Sequence, residues 1–129
     1  MQRINYYPSP LTPLINDGKS SSQYGAYDVN VEDLEAGTYV FAADIQNNTT
    51  QTGTQVTLFN SNWVAIFNSD NIGHVKTTVT VEKADSLVIR AQQPGATISN
   101  VTVERADTYD NAVGGGLPGF FTGDTMPLA

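Results

Sequence analysis

Apolar and polar residues alternate along the central part of the chain, between Leu34 and Glu104. The first long run after Gly37 shows the pattern, because one parity is apolar and the other is mostly polar, with Val40 as the exception. The apolar positions of this run are Tyr39, Phe41, Ala43 and Ile45. A period of two residues is typical of a β-strand with one face against a core and the other towards solvent.

The same alternation recurs in further segments that are separated by turn residues. The predicted strands lie at 27–32, 38–46, 55–59, 63–67, 74–82, 86–92 and 97–104. Short strands with turns every 8–12 residues or so are typical of sandwiches and jelly rolls. We therefore predict an all-β fold, an antiparallel β-sandwich of jelly-roll type over residues 25–106. No stretch shows helical periodicity, so no helix is predicted.

The last predicted strand contains a break in phase. Ile98 has one parity, whereas Val101 and Val103 have the other, with Ser99 and Asn100 between them. A two-residue period that slips by one position indicates a β-bulge. We expect this bulge to leave all three apolar side chains in the core.

The two flanks differ from the centre. Residues 1–24 carry three closely spaced prolines, which favour extended backbone, and residues 107–129 contain the triplet Gly114 to Gly116, predicted as a hinge. Both flanks also carry large apolar residues, namely Ile4, Tyr6, Tyr7, Leu11, Phe120 and Phe121. Together they would form a larger exposed patch than monomers usually tolerate. We expect the N-terminal flank to dock on the sandwich or on a neighbouring subunit, and predict that the six residues contact another chain or copy.

This assignment makes a prediction about removal of the C-terminal flank. Deletion of residues 114–129 should abolish attachment to the partner while the sandwich melts nearly as before.

Charge and composition exclude several functional classes. The chain has 129 residues, no cysteine and a net charge of −7. Its basic residues are scattered, which argues against nucleic-acid binding. No apolar run approaches the roughly 18 residues of a membrane span, and the N-terminus lacks the apolar region of a signal peptide. We expect a protein made in the cytosol as a soluble chain, with neither a nucleic-acid nor a membrane partner.

Catalytic chemistry has few residues to draw on. His74 is the only histidine and lies at a strand start, where a surface imidazole is the commoner role. No nucleophile elbow, phosphate-binding glycine loop or metal-ligand spacing is present. Asp70 and Asn71 could offer oxygen ligands to calcium, although such loops are more often plain turns. We predict no enzyme activity, no cofactor and no metal.

An aromatic ligand face is the remaining candidate. Trp63, with Tyr24, Tyr27 and Phe59 as possible neighbours, could stack on a sugar ring. Packing in the core or at a subunit interface is the alternative for these residue types.

Three parts of the sequence resemble one family, the minor tail proteins of phages that infect actinobacteria. The run from Arg3 to Pro10 resembles their Arg-x-Asn…Asn-Pro-Ser opening, with Ser9 where the family usually has Asn. The core, with Leu34-x-Ala36-Gly37-Thr38-Tyr39, Thr77-x-Val79-x-Val81 and the strand from Ile98 to Glu104, is similar to their carbohydrate-binding-module-like jelly roll. The run from Gly119 to Pro127 is similar to their Phe-Asp-Gly-Asp-Thr-Pro ending.

The resemblance implies a non-enzymatic structural component of a tailed-phage virion, either a minor tail protein or a capsid-surface decoration protein. It implies other virion proteins as partners and a homo-oligomer, with a trimer favoured. The alternative is a glycan-binding module that contacts the host cell envelope. No matching motif fixes sugar-binding residues in this chain.

Overall fold

The computed structural model describes residues 2–7, 13–16, 28–49, 53–83, 85–121 and 125–127. The predictions for Leu11, Tyr24 and Tyr27 fall outside these residues. The strands are β1 (Gln2–Ile4), β2 (Leu14–Ile15), β3 (Asp28–Leu34), β4 (Gly37–Asn47), β5 (Val56–Phe59), β6 (Ala65–Ser69), β7 (Gly73–Val81), β8 (Asp85–Ala91), β9 (Ala96–Arg105) and β10 (Thr125–Pro127), and the helix α1 is Ala106–Gly114.

Eight of these strands form the predicted sandwich. One four-stranded sheet has the order β2-β9-β4-β7 and the other has the order β3-β8-β5-β6. All pairings within them are antiparallel. The β5–β6 hairpin stays within one sheet, whereas every other connection from β2 to β9 crosses to the other sheet. This connectivity is that of a jelly roll, so the predicted all-β fold is confirmed.

The core lies between the two sheets and follows the predicted alternation. Apolar side chains of β4, β5, β8 and β9 face one another there and are almost fully buried. The most deeply buried include Tyr39, Phe41, Ile45, Val56, Leu58, Leu87, Ile89, Ile98 and Val103. Burying side chains of this size is the main contribution to stability of the sandwich.

The predicted bulge in β9 is present. Ala42 pairs with Thr102 and Asp44 pairs with Ser99, so one residue of β4 faces two residues of β9. Asn100 has a φ of 52°, a left-handed conformation that asparagine tolerates better than most residues. Ile98, Val101 and Val103 are all buried, as the break in phase predicts.

Helix α1 was not predicted, and the expectation of no helix is wrong. Only three of its nine residues are buried, too few to give a clear helical period in the sequence; they are Thr108, Tyr109 and Ala112. Tyr109 packs on Val40 and Ala42, which lie on the outer face of β4. Val40 breaks the alternation of β4 because the helix covers it.

The glycine triplet ends this helix. Gly114 is its last residue, and the amide of Gly115 donates to the carbonyls of Asn111 and Ala112. Gly116 has a φ of 95°, which glycine adopts without steric cost. These glycines, predicted as a hinge, therefore form a helix terminus.

No helix in the described ranges, the nine-residue α1 included, is long and apolar enough to cross a membrane.

Both flanks contribute strands. β2 forms the edge of one sheet by pairing with β9, so part of the N-terminal flank lies within the sandwich. β1 pairs with β10 in a separate two-stranded antiparallel sheet, with Gln2 opposite Pro127 and Ile4 opposite Thr125. The two ends of the chain therefore meet.

Candidate functional site

Arg3 links the two ends of the chain. Its Nε and Nη2 atoms donate to the two carboxylate oxygens of Glu104, at 2.9 and 2.7 Å. Its Nη1 donates to the carbonyl of Pro118 at 2.6 Å, and Nη2 also donates to that of Gly119 at 3.1 Å. The side chains of Arg3 and Glu104 are both fully buried. This bidentate geometry is the strongest form of an arginine–carboxylate pair.

Further groups complete the surroundings of this ion pair. The hydroxyl of Thr108 in α1 donates to Glu104 Oε2 at 2.8 Å. The ring of Phe121 lies 4.7 Å from the guanidinium carbon of Arg3, within range of a cation–π interaction. A buried charge is costly unless it is paired and hydrogen-bonded. We call this cluster the terminal junction. It consists of Arg3, Glu104, Thr108, Pro118, Gly119 and Phe121.

Asn5 fixes the next part of the N-terminal segment against β9. Its Nδ2 donates to the carbonyl of Val101 at 2.8 Å, and its Oδ1 accepts from the amides of Val103 and Tyr7 at 2.9 and 3.1 Å. The amide of Tyr6 donates to the carbonyl of Val103 at 2.7 Å. Arg3 and Asn5 both hold the N-terminal segment in place.

The apolar residues assigned to contacts with another chain are placed differently from one another. Tyr7 is 3% exposed and belongs to the main core, and Phe121 is 8% exposed beside Arg3. Tyr6 packs edge to face against Tyr39, with ring centres 5.7 Å apart. Tyr6 and Tyr7 therefore dock on the sandwich of their own chain, one of the two alternatives expected for the N-terminal flank, where Arg3 and Asn5 hold the backbone.

Among the assigned residues that the structure describes, Ile4, Tyr6 and Phe120 are not fully buried. Ile4 is 41% exposed, and Phe120 is half-buried. Arg3 and Ile4 are adjacent in a strand, so that their side chains point in opposite directions, Arg3 inward and Ile4 outward. Contact with another chain stays a prediction for all six assigned residues.

A polar cluster lies on the outer face of the sheet that contains β4. Asp44 Oδ1 is 2.9 Å from His74 Nδ1, and Asn100 Nδ2 donates to Asp44 Oδ2 at 2.8 Å. The hydrogen bond from Asn100, followed by that from His74, lowers the pKa of the Asp44 carboxyl below its usual value. The bulge in β9 directs Asn100 towards Asp44, because it changes the phase of the strand at this point.

A cavity of about 180 Å³ adjoins this cluster. Thr102 and Tyr109 line it beside the C-terminal residues Gly119 and Phe120. The His74 side chain is 63% exposed, as the prediction of a surface imidazole requires. A carboxylate, an amide and an imidazole next to aromatic rings can hydrogen-bond the hydroxyls of a small polar ligand and pack against its apolar side.

The Trp63 surface lies on the other sheet. Trp63 has a φ of 61° and is 39% exposed. Its ring centre lies 5.5 Å from that of Phe59, the predicted neighbour. The Arg90 guanidinium carbon lies 5.1 Å from the Phe59 ring centre and 5.5 Å from that of Trp63, and Asp28 holds Arg90 in an ion pair at 3.1 Å. The result is a half-exposed aromatic surface with a fixed cation.

The loop considered for calcium contains a local turn contact. Asp70 is exposed, and the amide of Asn71 donates to the hydroxyl of Ser69 at 3.2 Å, as in an ordinary turn. In the part of the chain that the structure describes, no group of three His, Cys, Asp or Glu side chains could hold a metal ion.

Sequence reasoning missed the terminal junction and the Asp44 cluster. Val40 was one available signal, since an apolar residue on the polar side of β4 indicates a covering element. Comparison with known proteins adds nothing, because no protein-family model and no curated protein matches this chain.

Proposed function

We propose that the protein is a non-enzymatic structural component of a tailed-phage virion, a minor tail or capsid-surface decoration protein, held in the particle by its terminal segments. The observation that carries the proposal is the terminal junction, which fixes both ends of the chain at one place. These ends are also the segments that resemble the opening and the ending of minor tail proteins, and the resemblance supplies the virion setting.

The junction provides a surface suited to attachment. β1 and β10 form a two-stranded sheet separate from the sandwich, and a neighbouring protein can extend such a sheet by adding a strand. Ile4 is exposed on β1, and burying an isoleucine side chain contributes roughly 1.5–3 kcal/mol. The Arg3–Glu104 pair holds β1 in position before a partner arrives, which lowers the ordering cost of binding.

Substitution of the exposed isoleucine tests this proposal. Ile4→Lys should leave the melting temperature nearly unchanged, because the side chain is exposed, but should reduce the amount of protein in purified particles. Ile15→Lys is the matched control, since Ile15 is 49% exposed on β2, away from the junction. Normal incorporation of folded Ile4→Lys protein would show that the junction is not the attachment surface.

Glycan binding is the second candidate function, and two surfaces favour it. The Phe59–Trp63 pair offers aromatic faces, and the Asp44 cluster offers hydrogen-bonding groups beside a cavity. Trp63→Ala and Asp44→Asn, made separately, should then reduce the retention of labelled protein on host cell walls. Val113→Ser is a control at an exposed residue of α1. Retention equal to wild type in both variants would exclude both surfaces.

A further inference from the structure

The cavity beside Asp44 is enclosed by three different parts of the fold. The sheet that contains β4, the helix α1 and the segment that follows α1 all contribute to its lining. Among the lining residues are Asp44, Asn100, Thr102, Tyr109, Gly119 and Phe120. The volume of about 180 Å³ is below the roughly 300 Å³ of the smallest pockets for drug-sized ligands. The cavity therefore has room for one small ring.

Two hydroxyl groups on buried side chains belong to this cavity and lack a partner. They are those of Thr102, which is 1% exposed, and Tyr109, which is 5% exposed. Among the residues that the structure describes, none forms a hydrogen bond with either hydroxyl. Polar groups on buried side chains are nearly always hydrogen-bonded in folded proteins. These two hydroxyls are therefore available to a molecule inside the cavity.

Asp44 and Asn100 add hydrogen-bond acceptors to the same cavity. Asp44 Oδ1 contacts His74 and Oδ2 accepts from Asn100, whereas a carboxylate offers about four acceptor positions. Asn100 uses its Nδ2 in that contact, which leaves its Oδ1 as a further acceptor. A ligand with several hydroxyl groups close together would match these acceptors and the two hydroxyls.

The charges around the cavity favour an uncharged ligand. Hydrogen bonding, above all from Asn100, lowers the pKa of the Asp44 carboxyl, so the carboxylate is ionised at neutral pH and repels an anion. Two cations already lie near the Tyr109 ring, because Lys76 Nζ is 4.9 Å and the Arg3 guanidinium carbon 5.8 Å from its centre. They oppose a further cation at this ring. An uncharged ligand meets neither repulsion.

We propose that this cavity binds one uncharged ring that carries neighbouring hydroxyl groups, of the size of a terminal sugar residue. Asp44, Asn100, Thr102 and Tyr109 supply the hydrogen bonds, and the aromatic side chain of Phe120 supplies a surface against which the ring packs. The inference rests on the glycan-binding candidate above and assigns that function to the cavity rather than to the Trp63 surface.

The C-terminal segment is one wall of this site and connects it to the terminal junction. Arg3 donates to the carbonyls of Pro118 and Gly119, which directly precede Phe120 in the chain. The site is incomplete without Gly119 and Phe120, so a bound ligand stabilises the docked segment. By linkage, the docked segment raises the affinity for the ligand by the same factor.

Titration calorimetry and ligand-observed NMR on the full chain test the site. The probes are glucose, galactose, mannose and N-acetylglucosamine, with choline and inorganic phosphate as charged comparators. At least one sugar should bind saturably, and choline and phosphate should not.

Thr102→Val removes one hydroxyl while keeping the shape of the side chain. It should weaken sugar binding about two- to tenfold, the effect of one neutral hydrogen bond. Without ligand it should melt no lower than wild type, because the hydroxyl has no partner among the described residues; a hydroxyl with a structural role would give a lower melting temperature. Thr38→Val is the matched control, since Thr38 is exposed on β4 and does not line the cavity. If Thr102→Val fails to fold by circular dichroism, Tyr109→Phe replaces it.

Hydrogen exchange tests the wall formed by the C-terminal segment. With the tightest-binding sugar at saturation, the amides of Gly119, Phe120 and Phe121 should exchange more slowly, whereas those of the β5–β6 hairpin should not change. Unchanged exchange at all of these amides would show that the segment is not part of the site.

Three outcomes would overturn the proposal. They are the absence of saturable binding for all four sugars, tighter binding of choline or phosphate than of any sugar, and wild-type affinity in the folded hydroxyl variant. Cell-wall retention of Trp63→Ala and particle incorporation of Ile4→Lys decide the functions proposed above separately, because neither residue lines the cavity.

Discussion

At the scale of single residues, Asn100 shows how backbone conformation and side-chain chemistry combine. Its left-handed conformation is required by the bulge, and its amide donates to Asp44 Oδ2. Glycine would accept the same backbone without strain but would lack the amide. Alanine would lack the amide and would also be strained at this φ. Two substitutions can therefore separate the two roles.

Asn100→Gly should raise the pKa of the Asp44 carboxyl towards its ordinary value of 3.8. In wild type the folded-state pKa lies below the unfolded one, so the interaction stabilises the fold above that ordinary pKa and is lost as pH falls through the folded-state pKa. The difference in unfolding free energy between wild type and variant should shrink over the same fall in pH. Carboxyl NMR titration measures the shift directly.

Asn100→Ala is the comparison for backbone strain. It should lose the same hydrogen bond as the glycine variant and cost about 1–3 kcal/mol more, because a non-glycine side chain is strained at positive φ. An Asp44 pKa that stays at its wild-type value in both variants would contradict the assigned cause.

The residues that sequence could identify are those that disturb a regular pattern. The slip between Ile98 and Val101 predicts the bulge, and Val40 breaks the alternation. Arg3 and Glu104 disturb no pattern, since both occupy ordinary polar positions and lie 101 residues apart. Their burial depends on the tertiary pairing of distant segments, which a period along the chain does not encode.

At the scale of elements, the C-terminal segment packs closely on α1. A methyl group added to Gly119 would lie 2.7 Å from the hydroxyl oxygen of Tyr109 and 3.4 Å from the ring carbon that bears it. Tyr109 cannot move aside easily, because its ring is buried against Val40 and Ala42. The hydroxyl oxygen of Tyr109 is the only one of these atoms that would lie closer than 3.4 Å to the added methyl group.

Gly119→Ala should therefore lower the free energy of unfolding by about 1–3 kcal/mol, as overpacking typically does. The double variant with Tyr109→Phe should recover most of this loss, since the clashing oxygen is gone. Gly114→Ala is the matched control, because nothing lies within 4 Å of its added methyl group. Urea denaturation measures all three. If Gly119→Ala lowers the free energy of unfolding by the same amount in the wild-type and Tyr109→Phe backgrounds, this packing is refuted.

Strands β3 to β9 were predictable, whereas helix α1 and the flank strands β1, β2 and β10 were not. In β4, for example, every second residue from Tyr39 to Ile45 lies in the core, and such a period is visible in sequence. Helix α1 buries only Thr108, Tyr109 and Ala112 and begins directly after the last residue of β9. Its position is set by the surface of β4 on which Tyr109 packs, so its stability is tertiary rather than local.

At the scale of the whole molecule, the terminal junction couples the two ends. Arg3 is bound by Glu104 and also by the carbonyls of Pro118 and Gly119, and β1 pairs with β10. Removing the C-terminal segment would take away the carbonyls, the Phe121 ring and the strand partner at once. The structure therefore gives a different expectation from the sequence, namely that truncation lowers the melting temperature.

A double-mutant cycle measures this coupling. In the full chain, Arg3→Met leaves Glu104 buried without its partner and should cost about 3–5 kcal/mol. In a chain that ends at Gly116, water reaches the carboxylate, and the same substitution should cost under about 1 kcal/mol, as for an exposed ion pair. Ile15→Met is a control that should have the same small effect in both backgrounds. The junction requires a non-additive cycle, because both changes disrupt one buried cluster. If the losses simply add, the two ends are stabilised independently and the junction does not hold them together.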